Sequence, residues 1–434
     1  MPEQAKIHIR DGHLIDPGND IDERKDVYIA EGKIAGIGNA PDGFQADQII
    51  DAQGLIVIPG LIDAFTHLRE PGQEHKATID SECRCAAASG ITTLICRPDT
   101  RPVIDTPAVI ELIRHQWQLT GKTRVLAIGA LTSGLRGEQL SEMAALKAAG
   151  CIGVSNAQLP LASSLIIRRA FEYAATFGLT VFVYPDEHSL SERGCLHEGP
   201  VATRLGIPAI PEASETVAVA RDIALVEHTG AHVHFCHITT QRALRMIGRA
   251  KFDHIPVTTD VAIPYLYLTD IDTCNFDPNY HLQPPLRTQS DRDKLRAGLT
   301  DGSISFITSS HQPHEPDAKL APFPSTEPGI SGLDTLLPLT LHLADEGVMS
   351  RNQAIAKLTS EPAATLNLPY GQLATGAIAD ICIFAPEATW IVDNDSMKSD
   401  GKNTPFAGWE MKSQVRYTLR DGQVIYTSEE AFQI

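Results

Sequence analysis

Eight short apolar runs constrain this chain more than any other feature. They lie at residues 61–65, 92–96, 125–128, 152–154, 181–183, 233–235, 255–257 and 304–307. Most are followed by a segment with helical period, as in SSLIIRRAFEYAATFG (163–178) and SETVAVARDIALVEHTG (214–230). Runs that stay apolar without alternating belong to strands buried on both faces, which is the mark of a parallel sheet flanked by helices. Eight such units predict an α/β fold of the closed (β/α)8 type, a TIM-type barrel over 59–373. An open doubly wound sheet obeys the same alternation, but no glycine-rich phosphate fingerprint follows the first run.

The two chain ends follow a different grammar. KIHIRDGHLID, DVYIAEGKIAGIG and QIIDAQGLIVIPG near the start, and DICIFAP, TWIV and VRYTLRDGQVIY near the end, are short strand patterns. Their turn pairs Asp11-Gly12, Glu31-Gly32, Gln53-Gly54 and Asp421-Gly422 predict β-hairpins. Residues 1–58 plus 374–434 are therefore expected to form one small β-domain. A barrel of about 250 residues with such a domain accounts for the length.

The net charge of −18 argues against nucleic acid or an anionic membrane surface as a partner. No apolar run approaches the roughly 20 residues of a membrane span, and the N-terminus is polar. The eight cysteines are scattered without a C-x-x-C pair. Free buried thiols and a cytoplasmic location are the expectation.

Function in such a barrel sits where strands end on the C-terminal side. There the chain places Asp63, Phe65, His67 and Arg69 after the first run, Arg97 and Asp99 after the second, and Asn156 with Ala157 after the fourth. Tyr184, Asp186 and Glu187 follow the fifth run, His237 the sixth, and Ser310, His311 and His314 the eighth. PGLIDAFTHLREPGQEHKATIDSECRCAAASGITTL at 59–94 resembles the first-strand signature of dihydroorotases, members of the amidohydrolase superfamily. GIPAIPEASETVAVARDI, QPPLR, SHQPHEPDAK, GISGLDTLLPL and KNTPFAGWEMKSQV match that family in the same order. The resemblance is nearest to the bacterial type whose members associate with aspartate transcarbamoylase.

Dihydroorotase chemistry uses zinc, which polarises the cyclic amide and lowers the pKa of water from about 15.7 to about 7. The resemblance implies ligands at positions that here hold Phe65, His67, Asn156 with Ala157, Tyr184, His237 and Ser310. His67 and His237 alone keep the ligating type. Ser310 also stands where the family has the aspartate that takes the proton from water. The replacements are uncharged, so ligands and carboxylates have gone together and no buried anion is stranded without its metal. For the substrate carboxylate the family offers an arginine, an asparagine and a histidine, matched here by Arg69, Asp99 and His314. A carboxylate at 99 repels an anionic substrate, and Arg69 is expected to pair with Asp99 or Glu70.

Plainer readings accompany each residue. His67 and His237 read as hydrogen-bonded core histidines, with weak residual zinc contact as the alternative, and His311 and His314 as structural. The segment 97–102 reads as a turn, and Asp63, Asp186 and Glu187 as a solvated rim. Taken together, the resemblance implies a pseudoenzyme: a catalytically inactive, metal-free dihydroorotase homologue. It would serve as a non-catalytic assembly subunit in a large hetero-oligomer with the aspartate transcarbamoylase catalytic chain of pyrimidine biosynthesis. The competing expectation is an active or weakly active zinc-dependent dihydroorotase, with one metal on His67, His237 and His311.

Overall fold

The structure, a computed structural model, describes residues 5–191 and 194–429. Eight parallel strands form the barrel: Leu61–Thr66, Ile91–Cys96, Arg124–Ala127, Gly153–Ser155, Thr180–Val183, Val233–Phe235, Val257–Ala262 and Phe306–Thr308. Each pairs with the next in chain order, as in Val154 with Val181, Val181 with Val233, and Val233 with Val257. The third strand is split. Arg124–Ala127 pairs with the second strand, and Gly129–Ala130 continues to the fourth.

Closure between the eighth and first strands relies on strand-end groups. Ser309 donates from both its backbone N and its Oγ to the Asp63 carboxylate (2.8 and 2.5 Å), and His67 N donates to His311 O (3.0 Å). Asp63 is thus fully buried, which corrects its expected place on a solvated rim. The seventh strand also differs from expectation, running to Ala262 beyond the apolar run at 255–257. Its polar residues were misleading because the barrel interior satisfies them. Thr259 Oγ1 donates to Phe235 O (2.7 Å), and Asp260 pairs with His234 (2.9 Å).

Helices Ser164–Thr176 and Glu212–Thr229 cover the outside where the periodic segments predict them. Ser163 caps the first by accepting from Ile166 N, and Gly230, at φ 69°, ends the second in the left-handed region. The second helix also shapes the mouth. Glu215, buried near its start, accepts from Thr239 N, Thr240 N and both threonine hydroxyls, and so holds the loop that follows the sixth strand.

Strands from both chain ends share one sheet. Ile381–Ile391 lies between Glu410–Arg420 and Ile56–Pro59, and His13–Asp16 and Ile21–Arg24 extend it. A second sheet holds Ile7–Arg10, Val27–Ala30, Lys33–Ile37 and Gln48–Asp51. Ile7, Ile9, Leu14, Val27, Val57, Ile383 and Leu419 form one apolar cluster between the sheets. Glu31-Gly32 and Asp421-Gly422 are hairpin turns, but Asp11-Gly12 and Gln53-Gly54 are not. Those two carry the chain from one sheet to the other. A Cβ on Gly12 would lie 2.6 Å from Val57 Cγ2, so close approach of the facing layer demands glycine there. Between its last two long strands the chain leaves this sheet and crosses to the barrel mouth, where Asn403 accepts from His314 N (2.8 Å) and donates to Gln312 O (3.0 Å).

Arg124 joins the two parts from the start of the third barrel strand. Its guanidinium donates to Asp380 and Asp421 (2.6 Å each) and lies 4.0 Å over the Tyr370 ring. Asp380 is 2% exposed, so losing the arginine would leave a buried carboxylate unpaired. Arg124→Ala is expected to cost about 3–5 kcal/mol and Arg124→Lys less, read as the loss of thermal midpoint in each variant.

Candidate functional site

The mouth is built at the strand ends, and its backbone is unusual. Phe65, Arg69, Ala157, His237 and Ser310 all have φ between 52 and 65°. The left-handed region costs an ordinary L-residue about 1–2 kcal/mol. These are the strand-end positions at which the resemblance places ligands and a substrate clamp. The main chain keeps a cradle that the present side chains do not need.

Aromatic rings fill the centre. Phe65 is 1% exposed and packs on Phe182 (5.3 Å between centroids), His234 (5.5 Å), His237 (5.9 Å) and Tyr184 (6.2 Å). Tyr184 meets His237 edge-on at 5.3 Å. Burial raises the Tyr184 phenol well above its usual range, so it stays neutral. Asn156 turns its amide away to local partners, accepting from Thr132 Oγ1 (2.5 Å) and donating to Leu159 O (3.0 Å). Ala157 offers no ligand, and Ser310 is half-buried in the loop after the eighth strand.

His67 and His237 are the surviving nitrogen donors. Neither is the fully hydrogen-bonded core histidine of the plain reading, because the Nε2 atom of each is buried without a protein partner among the described residues. Burial lowers His237 to about 4, opposed by Asp260 3.8 Å away. Burial, with Arg97 and Arg69 adding to it, holds His67 well below the usual histidine range. Both are neutral at physiological pH.

Arg69 does not pair with Asp99 or Glu70, contrary to the sequence expectation. It donates to Pro313 O (2.9 Å) and Gln73 Oε1 (3.0 Å), and a third nitrogen lies 3.1 Å from His314 Nε2. Asp99 is instead gripped by Arg97 through two contacts, at 3.3 and 3.1 Å, while Glu70 accepts from Ile79 N (2.8 Å). Arg97 had been read as part of a turn. A guanidinium two residues from a carboxylate at a strand end was its available signal.

His314 accepts from Lys76 Nζ (3.2 Å) at Nδ1 and donates from Nε2 to Pro328 O (3.0 Å), with Lys76 also paired to Glu327. Burial and the neighbouring Arg69 and Lys76 push it down to about 2. His311 Nδ1 accepts from Gly332 N (3.2 Å) while its Nε2 lies 2.8 Å from the fully buried Glu82, which turns it away from His67 and His237. Asp186 and Glu187 are half-buried and accept from Ser191 Oγ and Arg221.

A catalytic zinc takes three protein ligands and a water. The positions in question supply two imidazole nitrogens, two rings that fill the vacated space and a buried guanidinium 4.5 Å over the Tyr184 ring. The donor set does not fit that group. Among the described residues His234, Cys236 and Asp260 do lie within ligating distance of one another. They are a satisfied core cluster: His234 bonds Thr258 (2.8 Å) and Asp260 (2.9 Å), and burial keeps the Cys236 thiol protonated. The space left between His67, Arg69, Arg97 and Asp99 is about 10 Å3, the room of about one water.

Comparison with known proteins bears on this site. A family profile described as Dihydro-orotase-like matches residues 54–243, and one described as Amidohydrolase family matches 327–426. A Pseudomonas aeruginosa chain named dihydroorotase-like protein is 47% identical over 420 residues, covering 97% of this chain and 99% of its own. A Syntrophotalea carbinolica chain named dihydroorotase is 42% identical over 421 residues, covering 97% and 99%. The solved L-hydantoinase (dihydropyrimidinase) of Arthrobacter aurescens superposes with a TM-score of 0.86 at 21% identity, covering 98% and 96%, a likeness of fold. No helix among the described residues is long and apolar enough to cross a membrane.

The depressed histidines set a pH dependence. His314 is held at about 2 in the fold against 6.5 unfolded, so below 6.5 the unfolded chain takes up a proton that the folded chain refuses. Stability is lost as pH falls through that window. His314→Gln removes this contribution. The loss of thermal midpoint between about pH 7.5 and about pH 5 should be smaller in the variant than in the wild type.

Proposed function

Because the chain belongs to the dihydroorotase-like family of amidohydrolases, we propose that it is a non-catalytic member of that family. Its barrel acts as an assembly subunit for aspartate transcarbamoylase in pyrimidine biosynthesis. The observation that carries this reading is the filled mouth. Phe65 and Tyr184 occupy ligand positions and pack on His237, leaving about 10 Å3 beside His67 and Arg69 and about 80 Å3 beside Asn156, Ala157 and Tyr184. Ser310 supplies no base to take a proton from water, and the neutral His67 and His237 lack a third donor.

What then remains for a well-packed barrel is to present a surface. The resemblance to dihydroorotases that associate with aspartate transcarbamoylase supplies the partner. A stable contact of that kind buries about 1,200 Å2 or more, and the partner gains stability by binding the folded chain.

Two measurements test the reading. After dialysis against a mild chelator, the protein should hold well under one zinc per chain and leave dihydroorotate unhydrolysed. Stoichiometric zinc with turnover would replace this reading by an atypical zinc-dependent dihydroorotase on His67 and His237. Co-expressed with the aspartate transcarbamoylase of its own organism, the chain should shift the transferase to a much larger species on size exclusion. Separate elution at micromolar concentration, with the transferase fully active alone, would sink the assembly role.

A further inference from the structure

Arg97 is a buried cation at the barrel mouth. It follows the second strand directly, and its side chain is 4% exposed. Its guanidinium pairs with Asp99 at 3.1 Å and stacks 4.5 Å from the centroid of Tyr184. Through Asp99 it is linked to His67, whose Nδ1 lies 3.9 Å from the same carboxylate. Tyr184 in turn meets His237 at 5.3 Å. His67, Tyr184 and His237 occupy three of the positions at which the resemblance places zinc ligands, and Arg97 touches this group through Tyr184 and Asp99 from a strand that contributes none.

We propose that Arg97 is the built-in replacement for the lost metal charge, a tethered cation that holds the vacated centre together and excludes zinc from it. This rests on the non-catalytic reading and deepens it. The small hollow that Phe65 and Tyr184 leave beside His67 borders an imidazole Nε2 without a protein partner among the described residues, and without Arg97 it would be open to water and stray metal. A guanidinium suits the hollow because it is planar, permanently charged and able to stack on a ring while donating to a carboxylate. Asp99 completes the exchange. It neutralises Arg97 and, at the clamp position, opposes an anionic substrate. Restoring the lost ligands should therefore not restore the metal site while Arg97 remains.

The test compares two chains. One carries Phe65→His, Asn156→Asp, Tyr184→His and Ser310→Asp. The other carries the same four changes with Arg97→Met, and keeps Asp99. Zinc affinity is measured by competition with a chromophoric chelator, using zinc alone as the probe. The second chain should bind zinc at least about tenfold tighter, the repulsion a guanidinium a few ångströms from a dication exerts even with water-like screening. Equal zinc affinity in the two chains would overturn the proposal.

If the restored chains do not fold, thermal melts in the otherwise native protein decide the matter. Arg97→Met should lower the midpoint more than the double variant Arg97→Met with Asp99→Asn, because the single change strands a carboxylate. Additive effects would overturn the role. The two readings fail separately. Zinc or turnover in the unaltered protein would refute the non-catalytic function. Equal zinc binding by both restored chains, with the unaltered protein metal-free, would refute the role of Arg97 alone.

Discussion

A charge taken out of water has to meet its opposite, and the mouth of this barrel is organised around that requirement. Arg97 meets Asp99, and Lys76 meets Glu327. Asp63 is held by Ser309 and is pushed up to about 6 by burial, opposed by those hydrogen bonds. These contacts also do structural work. The Asp63–Ser309 bonds bring the eighth strand to the first. Glu82 accepts from Asp400 N (3.2 Å), and so ties the crossing C-terminal segment to a barrel helix. Pairing of charge and closure of the barrel are met by the same residues.

Left-handed conformations at Phe65, Arg69, Ala157, His237 and Ser310 cost energy for residues that gain nothing local from them. They persist because each lies between a strand and a loop whose ends are fixed elsewhere. Glu215 bolts the loop after His237, Gly332 and Glu82 bolt His311 next to Ser310, and Gln73 and Pro313 bolt Arg69. A change of side chain is local, whereas a change of φ would move every hydrogen bond downstream of it. The shape of the cradle is therefore set by the fixed loop ends and not by the side chains that line it.

Much of the fold was legible in the residues. Continuous apolar runs have one good use, in strands covered on both sides, so eight of them with intervening helical period pointed to the barrel. Where the seventh run gave way to Thr258, Thr259 and Asp260 the strand appeared to stop, because their partners lie on other strands. The same blindness applied to Asp11-Gly12 and Gln53-Gly54. Turn chemistry shows that the chain bends, and does not show whether the next strand joins the same sheet or the opposite one.

At the site, the sequence by itself determined which side-chain donors are missing at positions 65, 157, 184 and 310. A phenylalanine, a tyrosine, an alanine and a serine cannot supply imidazole or carboxylate donors wherever they are placed. It could not determine how the remaining charges pair. Arg69 and Asp99 looked like partners along the chain, but Arg69 donates to Pro313 O from the eighth-strand loop, and Asp99 falls to Arg97. The reason is physical. Residue type is a local property, whereas pairing is decided by distances of a few ångströms, and only the closed barrel, which brings Pro313 to Arg69 across 244 residues of sequence, sets those distances.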